Sequence, residues 1–223
     1  MKILDCEQGS DEWLRCRMGV ITASRAASLV TAKTKKPSSQ AKTYGHELVG
    51  EVLTGLPADN GASGFAVDRG HEIEPQARAW FSLARAWFSL AREPVQEVGF
   101  CVSDDGRVGC SPDGLVGDDD GLEIKCPMPK KHVGNLLDPD RFAADHNPQV
   151  QFCLYVTGRK RWHLLSYCPD VVPVHLTVGR DEEYIAALDK ACKALIADMD
   201  AAMEKIQALA ADTSDDPAAI VFA

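Results

Sequence analysis

Apolar and polar positions alternate with a short period through the middle of the chain and with a longer one at both ends, which predicts strands between helices. Asp11 to Arg17 reads as a short helix, and Thr22 or Ser24 can cap a helix carrying Arg25 to Val30. A connection at Pro37-Ser38-Ser39 precedes a helix from Ala41 to Leu53, and Gly55 to Gly64 reads as a second loop. Asp68 to Arg92 is helical in pattern. Val95 to Val102, Arg107 to Ser111, Leu115-Val116 and Leu122 to Cys126 then predict strands of one antiparallel meander. Helices near Pro129 to Leu137 and from Pro148 to Val156, with Gln149 in the first turn of the second, lead to strands over Trp162 to Tyr167 and Val172 to Val178. A long amphipathic helix over Glu182 to Ala211 completes an α/β pattern, with one mixed sheet between helices.

The chemistry concentrates at one predicted hairpin. Ser111-Pro112-Asp113-Gly114-Leu115 and Gly121-Leu122-Glu123-Ile124-Lys125-Cys126 flank a turn-rich Gly117-Asp118-Asp119-Asp120 segment. In a strand, Glu123 and Lys125 share a face while Ile124 points the other way, into the core. Asp113, Glu123 and the Ile124 carbonyl supply oxygen ligands of the kind a hard cation such as Mg²⁺ takes. Lys125 then stands beside a metal-bound water, where its charge lowers the pKa of that water or holds it in line for attack. The combination points to phosphodiester hydrolysis. Arg17 offers a forked, charge-assisted contact for a terminal phosphate, and Ser24 at a helix start adds a hydroxyl. A surface salt bridge from Arg17 to Asp11 or Glu12 is the plainer alternative.

Length and composition are compatible with this chemistry. A chain of 223 residues with 45% hydrophobic content can bury one core, so a single domain over 1–211 with a short acidic tail over 212–223 is expected. No apolar run reaches membrane-spanning length and the N-terminus lacks a signal-peptide core, so a cytoplasmic protein is expected. The eight cysteines are scattered without a Cys-x-x-Cys and read as buried reduced thiols. The net charge of −9 opposes duplex binding, but residues 181–223 carry −7 of it. The remainder holds a basic segment at Lys33, Lys35, Lys36 and Lys42, then Lys130-Lys131-His132 and Arg159-Lys160-Arg161. Together these suggest a local basic track.

These residues resemble the PD-(D/E)xK nuclease motif and, in this form, the phage lambda-type exonuclease (YqaJ-like viral recombinase) family. The resemblance runs through Glu7 to Trp13, Arg17 to Ser24, Gly70 to Glu74, the two hairpin stretches and Gln149-Val150-Gln151. It implies a restriction-endonuclease-like fold and a 5′ to 3′ exonuclease, phage or prophage encoded and working in the bacterial cytoplasm. Such an enzyme degrades one strand of duplex DNA from its end, releases mononucleotides and leaves 3′ single strand for recombination. By the same resemblance Glu74 is a helix carboxylate approaching the metals, and one or two ions, Mg²⁺ or Mn²⁺, act per site. Gln149 matches a helix glutamine reaching the active centre, with Gln151 and His146 as weaker candidates, and Arg17 with Ser24 forms a 5′-phosphate pocket. A homotrimer ring around double-stranded DNA and a phage single-strand annealing protein as partner complete what the family implies.

Competing classes share part of the motif. A restriction-type endonuclease or junction resolvase uses the same three side chains but cuts closed circles. A small-molecule phosphohydrolase ignores duplex, and a non-catalytic end-binding protein tolerates loss of Lys125. The tandem copy of Ala77 to Leu83 at Ala84 to Leu90 adds seven residues, nearly two helical turns. That insertion rotates the apolar face by only ~20°. A recent duplication that lengthens the helix without a role is the favoured reading.

Overall fold

A computed structural model describes residues 1–58, 65–88 and 95–212. The tail over 213–223, most of the loop before Gly64 and the helix end from 89 to 92 lie outside the described residues.

The strands divide between two sheets. The first contains β1 (Lys2–Leu4), β4 (Phe100–Val102), β5 (Val108–Cys110) and β2 (Ile21–Thr22) in the order β1-β4-β5-β2, with β2 parallel to β5. The second runs β3 (Val95–Gln96), β6 (Gly114–Val116), β7 (Asp120–Lys125), β8 (Arg161–Ser166) and β9 (Val174–Gly179), and its central β7–β8 pair is parallel. The continuous strand predicted from Val95 to Val102 therefore breaks, and the chain crosses from one sheet to the other. The break falls beside Gly99, where a Cβ would collide with the Cys6 backbone, so only glycine admits that approach.

Helix boundaries follow local signals. Ser10 caps α1 (Asp11–Arg17) by accepting the Trp13 N–H at 3.2 Å. Ala23–Ser28 is a 3₁₀ turn rather than the α-helix expected there, and Thr22 precedes it without a side-chain cap bond. Next come α2 (Ala41–Thr54), ended by Gly55 at φ 65°, and α3 (Phe65–Phe88) with Pro75 inside it. After α4 (Pro129–Leu137), Asp138 caps α5 (Pro139–Thr157) and Pro139 takes its first position. Pro148, expected to open a helix, instead lies within α5, so Gln149 sits mid-helix. The long α6 (Glu182–Asp212) ends the described chain.

The principal core packs α2, α5 and α6 against one face of the sheets through Tyr44, Leu48, Phe152, Leu154, Trp162, Leu164, Tyr184 and Leu188. A smaller cluster seats Ala77 and Phe81 of α3 on the opposite face, against Leu122, Ile124 and Leu165. Because β7 is covered on both faces, its period-2 alternation sends Ile124 toward α3 and Glu123 toward α5. That places a carboxylate in the interior. The eight cysteines are all free thiols, five of them buried. Among the described residues no helix is long and apolar enough to cross a membrane.

Candidate active site

The β6–β7 hairpin positions the acidic core. Leu122 pairs with Gly114, so Asp113 reaches beyond the ladder to the next stretch of β7. Its N–H donates to the Leu122 carbonyl at 3.1 Å, and its Oδ2 accepts the Ile124 N–H at 2.5 Å. On the same strand Glu123 is 4% exposed, and its Oε1 accepts from Lys125 Nζ and from Gln149 Nε2, each at 2.6 Å. Lys125 Nζ also donates to Gln149 Oε1 at 3.1 Å, closing a three-membered network between β7 and α5.

The electrostatics fit that crowding. Burial, then the charges of Glu123 and Glu74, push the Asp113 carboxyl well above its usual range. Burial opposes the Lys125 charge, but Glu123 and Asp113 outweigh it and hold the ammonium pKa above normal. Lys125 is therefore a cation in this site and not a resting base. Glu74, on α3, accepts from Arg78 Nη2 at 2.5 Å.

Two buried side-chain atoms, Glu123 Oε2 and Trp162 Nε1, have no hydrogen-bond partner among the described residues, and of the two only the carboxylate oxygen belongs to an acid. An unpaired buried carboxylate oxygen is costly unless something positive meets it. Beside Asp113 and the Ile124 backbone it completes an all-oxygen donor set that suits Mg²⁺ or Mn²⁺. Among the described residues no three His, Cys, Asp or Glu side chains converge on one point. The residues present thus fit a cation held by two carboxylates, with backbone oxygen and water supplying the rest.

Arg17 makes no salt bridge to Asp11, Glu12 or any other carboxylate among the described residues. Its guanidinium stacks 4.1 Å over Trp13 and donates to Ser111 Oγ at 3.1 Å and, at the limit of hydrogen bonding, to Ser24 Oγ at 3.5 Å. Trp13 Nε1 donates to the same Ser111 oxygen at 2.8 Å. Burial lowers the Arg17 pKa, and the charges of Tyr44 and Glu51 offset that only in part. Ser111, two residues before Asp113, links this pocket to the acidic core and was not singled out from the sequence. Its place next to Pro112-Asp113 was the available signal.

Other expected residues divide. His146 lines a cleft of about 450 Å³ with Lys125, Arg69, Lys131 and Met128, and burial lowers its pKa. Gln151 does not join the site. It is 1% exposed, donates to the Gly179 carbonyl at 2.8 Å and accepts the Asp181 N–H at 2.8 Å, because two residues along α5 from Gln149 is the far side of the helix. Lys35 is bound to Asp181 and Glu183 at 2.9 and 2.7 Å, which removes it from the basic track, while Lys33 and Lys36 are exposed.

Two further basic groups are committed elsewhere. His132 is buried against Ser166 and the Val172 carbonyl. Arg159, Lys160 and Arg161 brace the β6–β7 turn through Gly117, Asp119 and Asp120.

The family model of the YqaJ-like viral recombinase domain matches residues 12–160, which include every residue of the acidic core. The chain belongs to this family. Among solved structures, the alkaline exonuclease LHK-Exo from Laribacter hongkongensis is 30% identical, with a TM-score of 0.75, over 91% of this chain and 99% of that one. The same protein in complex with dAMP is 31% identical over the same shares, with a TM-score of 0.75. A phage related exonuclease from Haemophilus somnus 129PT shares the fold at 15% identity, with a TM-score of 0.64 over 84% of this chain and 96% of that one. No curated protein matches the sequence. The mixed α/β fold with helices on both sides of the sheets and a long C-terminal helix is the fold of this YqaJ-type group.

Proposed function

We propose that this chain is a metal-dependent 5′ to 3′ exonuclease that digests one strand of duplex DNA from a 5′-phosphorylated end. It releases 5′-mononucleotides and leaves 3′ single strand for annealing-type recombination. The observation that carries this reading is the buried Glu123 carboxylate, with Lys125 and Gln149 on one oxygen and, among the described residues, no partner on the other. The likeness of nearly the whole chain to the alkaline exonuclease LHK-Exo supports it.

Asp113, Glu123 and the Ile124 carbonyl are the residues that would hold Mg²⁺ or Mn²⁺, and Glu74 is the carboxylate that would serve a second ion. A bound divalent cation supplies Lewis-acid polarisation of the phosphate and a more acidic water. Lys125, kept protonated by its neighbours, aligns the attacking water and stabilises charge developing on the phosphate. Gln149 fixes the Glu123 and Lys125 rotamers together. Arg17, Ser24 and Ser111 receive the terminal 5′-phosphate, which sets how far the strand enters. Ser111 Oγ already accepts two N–H bonds and keeps its own proton to donate.

With several basic residues engaged internally, a single acidic subunit has little charge with which to hold DNA. A homotrimer ring enclosing the duplex supplies retention by topology instead, and a phage single-strand annealing protein receives the product strand in the host cytoplasm. Light scattering is expected to give three times the chain mass.

The deciding experiment is a time course on linear duplex with each 5′ end in turn phosphorylated or hydroxylated, with and without Mg²⁺. Digestion is expected to run about ten- to a hundredfold faster from the phosphorylated end, and only with the cation. Cleavage of closed circular DNA, or equal rates from both kinds of end, contradicts the reading.

A further inference from the structure

Arg78 joins three separate segments through one guanidinium. Nη2 meets Glu74 Oε1 one turn earlier on α3 at 2.5 Å, and Nε donates to the backbone carbonyl of Asp113 at 3.0 Å. Nη1 lies 3.1 Å from Glu97 Oε2, on the link where the chain passes from β3 to β4. The Arg78 side chain is 16% exposed, against 26% for Glu74 and 71% for Glu97.

An i,i+4 pair on a solvated helix face contributes little. This one is largely enclosed, and its fork spans a helix carboxylate and the turn that carries Asp113. One guanidinium therefore ties the Glu74 carboxylate on α3 to the backbone of the turn that carries Asp113.

We propose that Arg78 is a positioning residue of the site: it sets the separation of Glu74 and Asp113 by gripping the side chain of one and the backbone of the other. This deepens the nuclease reading and rests on it. Arg78 reaches neither Glu123 nor Lys125 in any contact among the described residues, so it acts through the acids it orients. The tandem repeat is compatible with this arrangement. Arg78 stays four residues from Glu74, and Ala77 and Phe81 of the same copy remain fully buried against β7, so added helix is accommodated beyond the clamp.

The test measures Mn²⁺ binding to the DNA-free protein by calorimetry, beside steady-state digestion of 5′-phosphorylated duplex. In Arg78→Gln, Mn²⁺ affinity is expected to fall about 10- to 100-fold, as for other groups that orient ligands. kcat should fall with it while KM for DNA ends is unchanged. Arg78→Lys should recover part of both, because an ammonium can keep one contact. Glu97→Gln, altered at an exposed position that does not threaten folding, should shift both in the same direction by less. Wild-type Mn²⁺ affinity and kcat in Arg78→Gln, or a rise in KM alone, overturns the proposal. Because Mn²⁺ binding needs no DNA, a wild-type protein that fails to digest duplex would sink the nuclease reading and leave the clamp standing on its own measurement.

Discussion

Lys125 and Glu123 stand on one face of β7 with the ammonium 2.6 Å from Glu123 Oε1, and the other carboxylate oxygen, Oε2, is buried without a hydrogen-bond partner among the described residues. The contact holds the lysine charged and leaves the second oxygen for a cation. Lys125→Ala is expected to cut digestion by about 10²–10⁴, the range for a positioned charge or proton-transfer group. Binding of 5′-phosphorylated ends, measured by anisotropy with Ca²⁺, should stay near wild type. Retained digestion would remove Lys125 from the reaction.

The raised Asp113 pKa has a consequence for stability. A carboxyl whose folded pKa lies above its unfolded value of about 4 binds a proton in the folded state that the unfolded chain has released, so stability falls as pH rises through that window. In metal-free protein, urea midpoints should therefore decline from acid toward neutral pH. Asp113→Asn keeps an acceptor for the Ile124 N–H but removes the charge, so the decline should flatten. Stability at neutral pH should then rise by about 0.5–2 kcal/mol while digestion is lost. Added Mg²⁺ should stabilise the wild type and not this variant.

Gln149 and Gln151 separate function from folding within one helical turn. Gln149→Leu breaks the network on Glu123 and Lys125, and activity is expected to drop about 10- to 100-fold with little change in melting temperature. Gln151→Leu strands the Gly179 carbonyl and the Asp181 N–H, costing about 1–3 kcal/mol of stability while the folded fraction keeps its turnover. The reverse pattern would exchange their roles.

What could be read from the sequence was what local spacing controls. Glu123 and Lys125 share a face because side chains alternate along a strand, and the turn before them fixes the hairpin that brings Asp113 across. Long-range pairings were not legible. Ser111 meets Arg17 across 94 residues, and Lys35 finds Asp181 across 146, so one polar group was overlooked and one apparently free lysine was already engaged. Arg78 was hidden for another reason. An arginine four residues after a glutamate looks like any helix pair until the turn bearing Asp113 packs against it. The split of Val95 to Val102 likewise depends on where Cys6 lies, which no local pattern around Gly99 records.

Arg17 carries the last expectation. Its guanidinium sits over the Trp13 ring, touches two hydroxyls and forms no salt bridge among the described residues, so a phosphate is the partner its geometry lacks. A charge-assisted bond of this kind contributes about 1.5–3 kcal/mol, roughly ten- to a hundredfold in rate or affinity. Arg17→Met keeps the stacking volume and removes the charge. Its rate on 5′-phosphorylated ends should fall by that factor, to the wild-type rate on 5′-hydroxyl ends, while its own hydroxyl-end rate is unchanged. Ser111→Ala should produce a smaller loss with the same selectivity, since it removes one hydroxyl and leaves the guanidinium in place. Arg17→Lys should recover little, because an ammonium neither stacks on Trp13 nor reaches both hydroxyls from one fork. Competition digests of mixed phosphorylated and hydroxyl ends read all three variants in one assay, and an equal loss on both kinds of end would make Arg17 a structural residue instead.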